Sequence, residues 1–315
     1  MPTREQLEAA HVWEAADDIR GDPEMTAFRR NARYHQAQWR EERGHPVGTQ
    51  PYAPRPKDRS RLVGSRIPLA YGRETGANFV TPAALDAARK RTSFIEPNQS
   101  FDHQRLWGDL LSSEALAFNL FGDLAADTKR ADRAVHTWWP DTPGTVSEIR
   151  FAHSPGRLDP AYLNSLRAWD AAFVLDLRRG KHGIVAVDVN FHELAKAETP
   201  KPENLSRYLT VAEASRVFAP GAVDRLKGRS ELAVMWLEHL LLLSMLQHSS
   251  GTWTWGRYVV VYPSGNRDVA GLAERYRGLL ADTRTFSTST IEELLASGVL
   301  PRSTTAALRE RYLAG

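Results

Sequence analysis

Two polar side chains interrupt the apolar stretch GIVAVDVNF at residues 183–191. Asp188 and Asn190 are two residues apart, and side chains with that spacing on a β-strand project from the same face. Burying a carboxylate without a partner costs roughly several kcal/mol or shifts its pKa. Asp188 therefore requires compensation, and the candidates are a structural partner, a metal ion or a ligand.

The stretch before it, AWDAAFVLDL at residues 168–177, offers two carboxylates, Asp170 and Asp176. The connection RRGKHG predicts an antiparallel hairpin, in which directly opposed residues share a face. A turn centred near Gly180 places Asp170 opposite Asn190, with Asp176 about six residues, or ~20 Å, further along the strand. This register selects Asp170 as the diagonal partner of Asp188. Two carboxylates beside an amide suit Mg²⁺ or Mn²⁺, because hard cations prefer oxygen ligands.

A structural interpretation of the same residues stays open. An aspartate at the end of a strand commonly caps a turn or pairs with an arginine, and Arg167, Arg178 and Arg179 are all close in sequence. Spacing alone does not separate an ion pair from a metal site.

The surrounding pattern predicts the elements that position these residues. Residues 1–45 are expected to be helical, residues 44–76 extended, and residues 82–91 and 99–127 helical. A strand at 145–154 precedes the hairpin, a helix follows near residue 192, and the apolar run 231–247 predicts a buried central helix. A last strand at 251–263 precedes C-terminal helices. This order indicates an α/β (α+β) fold with a mixed central sheet covered by helices.

The composition narrows the chemistry. The 315-residue chain has no cysteine, which excludes disulfides, thiolate zinc sites and a cysteine nucleophile. The absence of cysteine suits a reducing compartment, and the charged N-terminus does not resemble a secretory signal, so a cytoplasmic location is expected. Between residues 26 and 66, ten Arg or Lys residues stand against three acidic ones. Such a segment either faces an anion such as nucleic acid or is a solvated arm.

The motif order resembles the PD-(D/E)XK nucleases: a helix, a strand carrying Asp, and a hairpin into an apolar strand carrying acid-x-Lys. The resemblance is to a restriction-endonuclease-like branch of this superfamily and covers roughly residues 10–270. The phrases that carry it are HVWEAAD, QWREERGHPVGTQ, SSEALAFNLFGDL, IRFAHSPGR, AWDAAFVLDL and VAVDVNFHE.

The resemblance implies a role for several residues. Asp170 matches the first metal-binding carboxylate, and Asp188 stands at the second acid, so both are the expected ligands of Mg²⁺ or Mn²⁺. Asn190 stands at the position of the catalytic lysine, and Glu193 matches an acid that recurs just after the motif. Ala152 occupies a position where an acid is expected.

The resemblance further implies a divalent-metal-dependent endonuclease acting on DNA, weakened because Asn190 has neither the charge nor a useful pKa. Lys181, His182, His192 and Lys196 are candidates for a substitute positive group. The alternative is a catalytically inactive nuclease-fold protein that binds nucleic acid or a protein partner. A carbohydrate-active enzyme with paired carboxylates and tryptophan platforms is a third hypothesis.

The same likeness suggests a division of the chain into three parts. Residues 1–98 form a basic helical and extended region that wraps the core, residues 99–270 form the nuclease-like core, and residues 271–315 form C-terminal helices. DNA is the expected partner, no membrane is expected, and homodimer formation is left open.

Overall fold

The structure is a computed structural model, which describes residues 2–14, 23–193 and 196–313. The elements before the main sheet are α1 (Arg4–Ala9), α2 (Pro23–Glu42), β1 (Gly48–Thr49), β2 (Leu62–Val63), α3 (Leu69–Thr75), α4 (Pro82–Ser93), α5 (His103–Gly108), α6 (Ser113–Ala125) and α7 (Thr128–Trp138). The remaining elements are β3 (Thr145–His153), β4 (Trp169–Asp176), β5 (His182–Val189), α8 (Leu205–Ser215), α9 (Ala222–Leu226), α10 (Ala233–Leu246), β6 (Trp253–Tyr262), α11 (Arg267–Arg277), β7 (Phe286–Thr290), α12 (Ile291–Ala296) and α13 (Arg302–Leu308).

The main sheet has five strands in the order β3-β4-β5-β6-β7. The first three form an antiparallel meander, whereas β6 runs parallel to β5 and β7 runs parallel to β6. The segment that connects β5 to β6 contains α8, α9 and α10. It is long because the chain must cross back to the other end of the sheet before a parallel strand can begin. The predicted mixed sheet covered by helices is therefore confirmed.

The chain divides into two compact units. The first comprises residues 1–92, 101–123 and 300–315, and the second comprises residues 93–100 and 124–299. The main sheet lies in the second unit, which we call the sheet unit. The three-part division suggested by the sequence stays a prediction.

The core of the sheet unit forms where one sheet face meets helices of the crossover. Ala172, Ile184, Ala186 and Tyr258 of that face pack in one buried cluster with side chains of α8, α10 and α11. Alternation along β5 places even-numbered residues on this face, so Asp188 continues the same row at the end of the strand.

Helix α10 is the most apolar helix of the sheet unit, and twelve of its fourteen residues are buried. No helix within the described residues is long and apolar enough to cross a bilayer. His239 of this helix is a core histidine, since its two ring nitrogens lie 2.9 Å from Tyr276 Oη and 2.9 Å from Thr285 Oγ1. The interpretation of residues 231–247 as a buried central helix is confirmed.

The centre of the hairpin turn and the pairing of its two strands both differ from those predicted. The turn is closed by a hydrogen bond from Leu177 N–H to Lys181 O, 2.9 Å long, so its centre is Arg179 rather than Gly180. Both residues adopt a left-handed backbone conformation, with φ of 62° and 67°. The strands pair Ala171 with Val187, and the same register places Asp170 directly opposite Asp188 instead of opposite Asn190. The partner of Asp170 on β5 is therefore two residues earlier than predicted. Because this shift is even, Asp170 and Asp188 stay on the same face of the sheet.

Two local predictions are wrong. The segment 44–76 contains a short hairpin and α3 rather than extended chain alone, whereas the helical pattern of residues 99–127 is present as α5 and α6. Strand β7 was not expected. The helix predicted near residue 192 lies partly on residues 194–195, outside the described residues, and the nearby described chain is a turn because the Glu193 carboxylate accepts the N–H groups of Phe191 and His192.

Candidate active site

The two aspartates selected from the sequence lie side by side on neighbouring strands. Asp170 is at the start of β4, and its Oδ2 accepts a hydrogen bond from the backbone N–H of Val189 at 2.7 Å. Asp188 is at the end of β5, within hydrogen-bonding reach of the Asp170 carboxyl. Both residues are half-buried, and they lie at one end of two interior strands of the sheet.

Asn190 and Glu193 lie just beyond β5 and hold the loop that follows. Asn190 Nδ2 donates to Asp188 Oδ2 at 2.8 Å, and its backbone N–H donates to Val261 O at 2.8 Å, which extends the pairing with β6. The Glu193 Oε2 accepts two backbone N–H groups, at 2.8 and 3.1 Å. Asn266, which caps α11, donates to the backbone carbonyls of Phe191 and Glu193. The predicted residues therefore cluster, but Glu193 caps a turn.

Ala152 lies on β3 and is the neighbour of Asp170 on β4. The residues on either side of it pair with β4, Phe151 with Ala171 and His153 with Trp169. It brings no carboxylate to the site. Its backbone is left-handed, with φ of 46°, a conformation that is strained for a residue other than glycine. Its carbonyl accepts a hydrogen bond from Arg157 Nη2 at 2.7 Å.

A third carboxyl, Glu238, reaches the aspartates from α10. It is only 6% exposed, and Tyr258 Oη donates to its Oε2 at 2.9 Å. Trp169, the residue before Asp170, donates its indole N–H to the Glu238 carbonyl at 3.2 Å, which ties α10 to the start of β4. The sequence signal was a glutamate inside a mostly apolar run, next to His239, which the motif argument did not use.

Two of the three carboxyls, Asp188 and Glu238, have raised pKa values. Burial raises the pKa of Asp188, and the Glu193 charge raises it further, while the Asn190 hydrogen bond acts in the opposite direction. Burial also raises the pKa of Glu238 well above its usual range, with an added contribution from the Asp188 charge. The site therefore favours the neutral form of Asp188 and of Glu238 more than water does.

A family model describing the PD-(D/E)XK nuclease superfamily matches residues 22–314. The chain belongs to the PD-(D/E)XK nuclease superfamily. No curated protein and no solved structure matches the chain. The family match accords with the observed mixed sheet, in which an antiparallel meander is followed by a helical crossover and a parallel strand.

PD-(D/E)XK nucleases generally use divalent metals, and the donor atoms of this site suit such an ion. In the parts of the chain that the structure describes, no group of three or more His, Asp or Glu side chains is arranged to hold a metal ion. A cation here would take Asp170 and Asp188 as its protein ligands and complete its shell with water or substrate oxygens. Mg²⁺ tolerates such a site, because it often binds through one or two carboxylates.

Proposed function

We propose that this PD-(D/E)XK chain is a restriction-endonuclease-like, divalent-metal-dependent phosphodiester hydrolase acting on DNA, with activity weakened by Asn190. The observation that carries the proposal is the adjacency of Asp170 and Asp188, two half-buried aspartates on paired strands of a nuclease-superfamily sheet. Mg²⁺ or Mn²⁺ is the proposed cofactor and Asp170 and Asp188 are its proposed ligands. When bound, the ion would supply charge to polarise the scissile phosphate and lower the pKa of an attacking water.

Each neighbouring residue has a defined task in this proposal. The Val189 N–H fixes the Asp170 carboxylate, so that ligand needs no reorientation when a cation arrives. Asn190 orients Asp188 through its amide and offers hydrogen bonds to a water or a phosphate oxygen, but it supplies no positive charge. Glu193 holds the loop after β5 and acts on the site through its charge.

DNA as the substrate is supported by an exposed basic hairpin in the other compact unit. The connection between β1 and β2 carries Arg55, Lys57, Arg59 and Arg61, all exposed, against the single acid Asp58. Clustered exposed cations bind the phosphate backbone without reading sequence. We therefore assign this basic hairpin, residues 54–62, to contact with the DNA backbone.

Cleavage of supercoiled plasmid DNA tests the proposal. In Mn²⁺ or Mg²⁺ the wild-type chain should nick DNA slowly, Asp170→Ala should abolish nicking, and Asn190→Lys should raise it by restoring the missing charge. Asp176→Ala is the matched control, since Asp176 sits on the same strand but pairs with His182 at its far end. Loss of nicking in the control would contradict the assignment of Asp170.

The alternative function is a catalytically inactive nuclease-fold protein that binds nucleic acid or a protein partner. It is favoured by the amide of Asn190, which stands in place of a lysine and donates to Asp188. DNA binding without nicking, in the wild-type chain and in Asn190→Lys alike, would establish this alternative. A cytoplasmic location and homodimer formation stay proposals within either function.

A further inference from the structure

The proposed active site carries several acids and no lysine from its own motif. Asp188 interacts with Asp170, Glu193 and Glu238 through charge or hydrogen bonds, and Asp170 also acts on Glu238. A phosphodiester brings another negative charge to these carboxyls, and its hydrolysis increases that negative charge. A positive side chain is needed close to the carboxyls, and Asn190 does not provide it.

Two of the cations suggested by the sequence lie elsewhere. Lys181 Nζ donates to Gly251 O at 2.7 Å, and His182 Nδ1 is 3.3 Å from Asp176 Oδ1. His182 is the first residue of β5 and Lys181 directly precedes it, whereas Asp188 is at the other end of the strand, six or seven residues and roughly 20 Å away. Neither side chain spans that distance.

Arg167 is the arginine that the structure brings to the carboxyls. It precedes β4 by two residues, and its side chain is 22% exposed. One terminal nitrogen, Nη2, is hydrogen-bonded to Glu198. The other, Nη1, is 3.8 Å from Glu238 Oε1, too far for a hydrogen bond. The guanidinium is therefore anchored at one corner by Glu198 and faces the acidic cluster with the other.

The electrostatic environment keeps this arginine charged. Burial opposes its charge, but Glu238, Glu198 and Asp188 more than offset that effect and raise the pKa of Arg167. A guanidinium presents several N–H donors in one plane, which matches the oxygens of a phosphate better than a lysine ammonium does. Because the Arg167 side chain is anchored and partly exposed, it suits contact with a ligand beside Asp170 and Asp188.

We propose that Arg167 supplies the positive charge that Asn190 lacks and that its Nη1 binds a non-bridging phosphate oxygen of DNA beside Asp170 and Asp188. This inference rests on the proposed nuclease function. It assigns to a residue before β4 the task for which the superfamily motif would use a lysine after β5.

Binding of a short DNA duplex, followed by fluorescence anisotropy with Ca²⁺ in place of Mn²⁺, tests the contact directly. Arg167→Gln should weaken binding by about tenfold, as expected for one charge-assisted hydrogen bond, and should reduce the salt slope by about one. Arg167→Lys should restore part of the affinity. Arg275→Gln is the matched control, because it removes one arginine charge from an exposed ion pair with Glu231 on the same unit. Thermal unfolding of each variant, followed by circular dichroism, reports the structural cost separately.

A double-mutant cycle on nicking activity tests the replacement of the lysine. In the wild-type background Arg167→Gln should lower the nicking rate at least tenfold, whereas in the Asn190→Lys background the loss should be at least threefold smaller. Equal losses in both backgrounds, or unchanged DNA affinity in Arg167→Gln, would overturn the inference. If no background nicks DNA at all, the hydrolase proposal fails, and the anisotropy measurement still decides whether Arg167 binds phosphate.

Discussion

Replacing Glu238 by glutamine should make the protein more stable at neutral and alkaline pH. Glu238 is buried beside Asp188, and both burial and that charge raise its pKa well above the usual range. A carboxyl with a raised folded-state pKa contributes stability that is fully present below the unfolded-state pKa, near 4.5, and is lost as the pH rises through the folded-state pKa. Glutamine has nearly the same shape, can accept the Tyr258 hydrogen bond, and does not titrate.

The magnitude follows from proton linkage. While folded Glu238 keeps its proton and the unfolded chain loses its own, each pH unit costs about 1.4 kcal/mol of unfolding free energy. From pH 5 to pH 7 the wild-type chain should therefore lose on the order of 3 kcal/mol relative to Glu238→Gln. The nearby Arg167 charge acts in the opposite direction and lowers the pKa of Glu238, but burial and the Asp188 charge outweigh it.

Urea unfolding at pH 5, 6, 7 and 8, followed by tryptophan fluorescence in EDTA, measures the effect. The midpoint difference between Glu238→Gln and the wild-type chain should grow with pH. Glu231→Gln provides the control, since Glu231 is an exposed glutamate paired with Arg275, and its midpoint difference should stay constant. A difference for Glu238→Gln that does not change with pH would refute the reasoning that Glu238 is protonated in the folded protein.

Further predictions concern the core and the basic hairpin. Burial lowers the pKa of His239 to about 3, so its contribution to stability is complete above the unfolded-state pKa near 6.5 and is lost as the pH falls. At pH 5 the wild-type chain should therefore have lost about 2 kcal/mol of unfolding free energy that His239→Gln does not lose, as measured by urea unfolding. Tyr258→Phe removes the hydrogen bond to Glu238 and should cost about 1–3 kcal/mol of unfolding free energy at pH 7. Replacing Lys57, Arg59 and Arg61 together by glutamine should lower the salt slope of DNA binding by roughly three while leaving Mn²⁺ binding unchanged; an unaltered slope would remove the basic hairpin from the DNA contact.

The sequence predicted the aspartate pair because the strand period is two. Any even shift of the hairpin register keeps Asp170 and Asp188 on one face, so the pairing survived an incorrect turn centre. The turn itself was not predictable, because Arg179 adopts the left-handed conformation that glycine usually occupies. Gly180 adopts this conformation as well, so the glycine alone does not mark the centre of the turn.

Glu238 and Arg167 could not be assigned to the site from sequence. Helix α10 is buried almost all round, so its apolar pattern does not indicate which residue faces the end of β5. Arg167 was noted only as a local ion-pair candidate for an aspartate, and its contact with a residue 71 positions later depends on the crossover packing. Strand β7, with the sequence FSTST, has too few apolar residues to predict a strand.

Mn²⁺ binding measured by isothermal titration calorimetry tests the central claim most directly. The account predicts that the wild-type chain binds Mn²⁺ and that its affinity falls as the pH falls, because burial raises the pKa of Asp188 and the cation competes with a proton for that carboxyl. Asp170→Asn and Asp188→Asn should each abolish binding, while Asp176→Asn should bind as the wild-type chain does. Absence of Mn²⁺ binding to the folded wild-type chain, or binding that survives both site substitutions, would contradict the assignment of Asp170 and Asp188 as the metal ligands.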